Sequence, residues 1–222
     1  MKRIPEPELM NTERQARAYA MANFNNPNWL FVEHFKNSFF EKEIIGTILD
    51  LGCGPADITV RFARFFPKCH IHGVDGAESM LKYGQAAVTK AGLTDRIRLI
   101  HGRLPDVQMP LAEYDAIISS HLLHHFASPM VLWETIKTFS KRGAPIMIMD
   151  IIRPRNKEEA GAIVEKYMGD ESAILKKDFF SSLLAAYRVG EVQEQLRQAD
   201  LVSHLSIRMV SRIQMVVKGI IS

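Results

Sequence analysis

The chain has 222 residues, 47% of them hydrophobic, with 28 basic and 25 acidic side chains and a net charge of +3. That is enough for one well-packed α/β domain and too little for two, and the near-even charge offers no field to recruit nucleic acid or an anionic membrane. The two cysteines, Cys53 and Cys69, make neither a disulfide framework nor a Cys-x-x-Cys pair, and the apolar runs are strand-sized with no signal-peptide core at the start, so the expectation is a soluble, cytoplasmic protein.

Residues 1–45 differ in pattern from the rest of the chain and are expected to form an N-terminal helical cap. Glu13 to Ala22 favours helix, Asn23 to Asn28 with Pro27 breaks it, and Trp29, Leu30, Val32, Phe35, Phe39 and Phe40 then recur near helical spacing. Residues 46–222 alternate between strand and helix. Strands are expected at 47–51, 70–75, 97–101, 114–119 and 144–151, with helices at about 57–66, 77–91 and 128–140. Right-handed crossovers between such strands build a mostly parallel sheet whose ligands bind at the carboxyl ends. A helical insertion at about 156–187 and a helix at about 190–199 lead into apolar runs at 201–208 and 211–220. Those runs are too close for a parallel crossover and must pair as a hairpin, which gives seven strands with one antiparallel near the C-terminus.

The first strand runs into a glycine turn, Ile48-Leu-Asp50-Leu-Gly52-Cys-Gly54-Pro-Ala56-Asp57, and the second ends in an acid, His70-Ile-His-Gly-Val-Asp75. Glycines at 52 and 54 let a ligand approach the backbone, and a carboxylate ending the second strand can accept from a ribose diol. A dinucleotide fingerprint would place a third glycine where Asp57 stands; a carboxylate there opposes a pyrophosphate, although as an N-cap it suits the helix.

The turn resembles the first motif of the class I S-adenosylmethionine-dependent methyltransferases, acid-x-Gly-x-Gly-x-Gly, with Ala56 in place of the third glycine. The strand order over about 46–220 resembles that family too. The resemblance implies a Rossmann-like seven-stranded sheet and S-adenosylmethionine as cofactor, with S-adenosylhomocysteine as product. It places Gly52 and Gly54 against the methionine part of the cofactor and Asp50 behind them, near its amino group; the alternative for Asp50 is to tie the loop amides together. Asp75 takes the ribose hydroxyls or caps the helix opening at Gly76, and Met80 lies over the adenine or is plain core. After the third strand, Gly102-Arg103-Leu104 stands where the family usually has Gly-Asp. Arginine accepts no hydrogen bond, so contact with the ring there must come from backbone or from guanidinium stacking.

The fourth strand ends in Ser119-Ser120-His121-Leu-Leu-His124-His125-Phe126. This lacks the Asn/Asp-Pro-Pro-aromatic sequence of methyltransferases that act on nucleic-acid bases or glutamine, and is similar to the small-molecule group of ubiquinone and menaquinone biosynthesis. Ser120 is the expected cofactor contact. His121 faces the transferred methyl and, with a near-neutral pKa, is a candidate general base. His124 and His125 are expected to pack the following helix, and no metal is expected because no carboxylate or cysteine completes a ligand set in this segment. Arg153 and Arg155 could pair with an anionic group on the substrate or belong to a solvated loop. Tyr19 and Phe24, flanking the breaker, are the expected lid residues over a small, partly apolar acceptor. Two alternatives stay open: an NAD(P)-dependent oxidoreductase and a non-catalytic S-adenosylmethionine-binding module.

Overall fold

The computed structural model describes residues 1–6, 12–22, 25–41 and 43–222, with backbone only at 25–27. Helices α1 (Glu13–Met21) and α2 (Asn25–Ser38) precede strand β1 (Gly46–Leu51). Next come α3 (Asp57–Phe65), β2 (Cys69–Asp75), α4 (Glu78–Ala91), β3 (Ile97–His101), β4 (Ala116–Ser120), α5 (Met130–Phe139) and β5 (Pro145–Ile151). The chain closes with α6 (Lys157–Met168), α7 (Ala173–Ala185), α8 (Val189–Gln198), β6 (Leu205–Met209) and β7 (Gln214–Ile220). Among the described residues no helix is long and apolar enough to cross a membrane.

The seven strands lie in the order β3-β2-β1-β4-β5-β7-β6. Neighbours from β3 through β5 pair in parallel, whereas β7 runs antiparallel to both β5 and β6. This is the hairpin ending expected from the sequence. Every residue of β5 is buried, because helices cover both faces of the sheet and leave no solvent side for polar alternation. Alternating β1 residues feed opposite layers: Ile48 packs with Phe31, Phe35 and Phe62, while Leu49 and Leu51 pack with Leu132, Trp133 and Leu196. The order reverses between β1 and β4, and the crevice at such a switch point is where a doubly wound sheet binds ligands.

Several boundaries move from the expected ones. Helix α2 begins at Asn25, so Pro27 sits in its first turn and does not break it; the first-turn N–H groups lack intrahelical acceptors, so the missing donor costs nothing there. Tyr114 makes only an isolated bridge to Ser140, and β4 starts at Ala116. Asp57 is the first residue of α3, not its N-cap, and pairs with Arg61 at 2.8 Å and Asn28 at 2.6 Å. The rings of Phe35 and Phe62 meet at 4.7 Å, which ties α2 to α3.

Candidate active site

The turn after β1 is wound onto the end of β2 by its own amides. Gly52 and Cys53 donate to the Val74 carbonyl at 2.8 and 3.0 Å, and Gly54 donates to Asp75 Oδ2 at 2.8 Å. Three turn residues take left-handed backbone: Gly52 at φ 72°, Gly54 at φ 52° and Ala56 at φ 61°. Alanine bears that conformation at a cost of about 1–2 kcal/mol, which explains why the resembled motif has glycine at this position. The two glycines serve different needs. A Cβ on Gly52 would strike Leu122 at 2.9 Å, whereas one on Gly54 would meet no described atom within 4 Å.

Asp75 joins three segments. Its Oδ1 accepts the Ala77 N–H at 2.7 Å at the start of α4, its Oδ2 holds Gly54, and its carbonyl accepts the Gly102 N–H at 3.0 Å after β3. Asp75 is not the N-cap of α4, a position that Ala77 holds, but it anchors the cap residue's N–H, and each oxygen retains a second lone pair. Burial raises its pKa, and the two amides oppose that rise.

Among the described residues no loop amide donates to Asp50. Asp50 is buried, accepts the Thr59 hydroxyl at 2.6 Å, and has its pKa pushed up to about 7 chiefly by burial. Met80 is 4% exposed and packs with Ala77 of its own segment, Ala16 of α1, Tyr19 and Tyr83. The Gly76 carbonyl lies 3.3 Å from His101 Nε2. A Cβ on Gly102 would collide with Val107 at 2.4 Å, so that glycine is required by packing; Arg103 is exposed and Leu104 leans on the α5 side of the core.

At the end of β4, Ser119 is buried and donates to the Leu51 carbonyl at 2.8 Å, leaving half-buried Ser120 as the last strand residue. His121 sits in left-handed backbone at φ 58°, its amide bound to Met149 O at 2.8 Å and its Nε2 3.5 Å from Gln214 Nε2. Burial drives its pKa down to about 4, not to the near-neutral value expected of a general base. The ring is neutral at physiological pH and a weak proton acceptor.

His124 and His125 do more than pack the next helix. They belong to a 3-10 turn, Leu123–His125. His124 Nδ1 lies 2.7 Å from Asp150 Oδ1, and His125 Nδ1 lies 2.6 Å from Glu6 Oε2. Burial alone would lower the His124 pKa, but the Asp150 charge outweighs it and the net direction is up, with Asp150 held down in return. Arg153 is buried and bound to Glu191 at 2.6 Å, so it is not part of a solvated loop, whereas Arg155 is exposed and pairs with Glu159 at 3.1 Å, as the solvated-loop alternative expects. Phe24 lies outside the described residues. Tyr19 is close enough to the acid pair that burial, then Asp75 and Asp57, push its pKa up to about 12.

Two observations show that the residues present fit an adenosine-bearing cofactor. The Gly54 backbone faces open space beside a carboxylate with an unused acceptor on each oxygen. Ser79 Oγ, in the first turn of α4, is buried with no hydrogen-bond partner among the described residues.

Residues 48–143 match the family model described as a methyltransferase domain. The malonyl-[acyl-carrier protein] O-methyltransferase of Priestia megaterium is 30% identical over 144 residues, 65% of this chain and 48% of that protein. The demethylmenaquinone methyltransferase of Listeria monocytogenes is 30% identical over 108 residues, 48% of this chain and 45% of that protein. The chain thus spans about half the length of the curated relatives it matches. A solved S-adenosylmethionine-dependent methyltransferase from Aquifex aeolicus shares the fold, with a TM-score of 0.69 at 18% identity over 95% of this chain and 99% of that one.

Proposed function

We propose that this chain is a class I S-adenosylmethionine-dependent methyltransferase that transfers a methyl group to a small, partly apolar metabolite by direct in-line displacement, a reading supported by the methyltransferase-domain match over residues 48–143 and by the strand order. Asp75 would accept the ribose diol, the Gly54 amide region would receive the methionine portion, and Asp50 would meet the amino group. Bound there, S-adenosylmethionine supplies a methyl carbon made electrophilic by its sulfonium.

The chain's own residues position and exclude water. Tyr19 and the α1 surface around Ala16 cover Met80 and Ala77, which supports a cap that shields the reacting atoms. His121 orients the acceptor by hydrogen bonding as a neutral ring. With a pKa of about 4 it removes a proton poorly, so the acceptor fits best as an already acidic hydroxyl or a nucleophile with a free lone pair. The free, buried Cys53 and Cys69 suit a reducing compartment.

The observation that carries this reading is the Asp75 carboxylate, pinned by one amide from the glycine turn and one from the cap of α4, with a second lone pair left on each oxygen. Calorimetric titration with S-adenosylhomocysteine tests it. Binding that is lost in Asp75→Ala supports the site; no binding, or equal binding by that variant, refutes it.

A further inference from the structure

We propose that Glu6, His124 and His125 form a binding site for a divalent transition-metal ion of the zinc class, a site that does not depend on methyl transfer. One ligand atom from each residue lies within 4.8 Å of the other two. Two imidazoles and one carboxylate make a three-ligand set with a position left open for water or a substrate oxygen. The segment holding the histidines supplies no carboxylate of its own. The fold brings one from the start of the chain.

The residues behind this trio are those a metal site requires. Asp150 Oδ1 holds His124 Nδ1 at 2.7 Å, and its Oδ2 accepts the His124 backbone N–H at 3.0 Å, so the imidazole is oriented with Nε2 left over as ligand. Ser182 donates its hydroxyl to Glu6 Oε1 at 2.6 Å, which leaves Oε2 for the site. Metal-bound histidines and carboxylates characteristically carry such outer partners. Arg3 donates to the carbonyls of His124 and Phe126 at 2.8 and 2.9 Å and so pins the turn that bears both histidines. The side chains are 3%, 19% and 9% exposed for His124, His125 and Glu6, and shielding of this kind strengthens attraction for a cation.

An ion pair between Glu6 and His125, 2.6 Å apart, accounts for that one contact. It does not account for a third donor held beside them with a buried carboxylate at its back. The cluster also adjoins the methyl-transfer edge of the sheet, since the His121 and His124 rings are 6.5 Å apart.

The test uses full-length, tag-free protein stripped with a chelator and titrated with Co(II) and with Zn(II). One equivalent should bind, give the visible d–d absorption of low-coordinate cobalt without thiolate charge-transfer bands, and raise the melting temperature. Glu6→Gln and His125→Asn should each lose that binding, and Asp150→Asn should weaken it by about 10- to 100-fold. Metal-free melting curves establish which variants fold, and either ligand variant suffices. Absence of saturable binding, thiolate bands from the cysteines, or unchanged binding in a folded ligand variant would overturn the site.

Discussion

Gly54 gives its backbone N–H to Asp75 Oδ2 at 2.8 Å, so the glycine turn after β1 and the acid that ends β2 are one structural unit. Neither can shift without the other, and the acid's second oxygen fixes the start of α4 through Ala77. The proposed nucleoside site would therefore be preorganised by backbone before any ligand arrives.

Asp75→Asn should weaken S-adenosylhomocysteine binding by roughly 10- to 100-fold, since a hydrogen bond to a charged group contributes about 1.5–3 kcal/mol. Calorimetry reads the affinity. Unchanged affinity would remove Asp75 from the ribose role.

Gly52→Ala and Gly54→Ala should separate stability from binding. The first forces a Cβ onto Leu122 at 2.9 Å in left-handed backbone and should destabilise by roughly 2–4 kcal/mol. The second enters open space and should cost about 1–2 kcal/mol in backbone strain while impairing cofactor affinity. Denaturant melts and ligand titrations on both variants check the ordering; a Gly54 variant with normal affinity would contradict the proposed approach of the cofactor.

Asp50 should make the protein less stable as pH rises from about 4 to 7. Its folded pKa, about 7, lies above the unfolded value of 3.8, so the native state holds the extra proton in that window and the stabilisation is lost on passing through the folded pKa. Asp50→Asn removes this dependence. Its melting temperature relative to the parent should climb between pH 4 and 7 and stay level above, while cofactor affinity falls; a pH-independent difference would contradict the assigned pKa.

His121 titrates in the opposite sense. With a folded pKa of about 4 against an ordinary 6.5, the unfolded chain binds the proton first, and the contribution to stability is lost as pH falls from 6.5 towards 4. The His121 ring resonances should titrate with a midpoint near 4 by NMR. A midpoint near 6.5 would restore it as a general base.

Much of this was legible from local sequence. The alternation of strands and helices, the glycine turn at Gly52 and Gly54, and Asp75 at a strand end follow from chain periodicity and from the missing Cβ atoms of glycine. The close spacing of the last two strands forced the hairpin that makes β7 antiparallel. Smaller errors came from signals that are ambiguous on their own: Pro27 reads as a breaker until the helix start is known, and Asp57 reads as a cap until Ala56 is seen to precede the helix.

By itself, then, the sequence determined the alternating strands and helices, the glycine turn and the acid that ends the second strand, since each is written in a short local pattern. Tertiary structure alone decided which distant groups meet: Glu6 with His125, Asp150 with His124, Tyr19 near Asp75, and Gln214 beside His121. Burial in the fold, followed by through-space charge, shifts the pKa values of His121, His124 and Tyr19, because both act between atoms that the order of residues along the chain does not bring together.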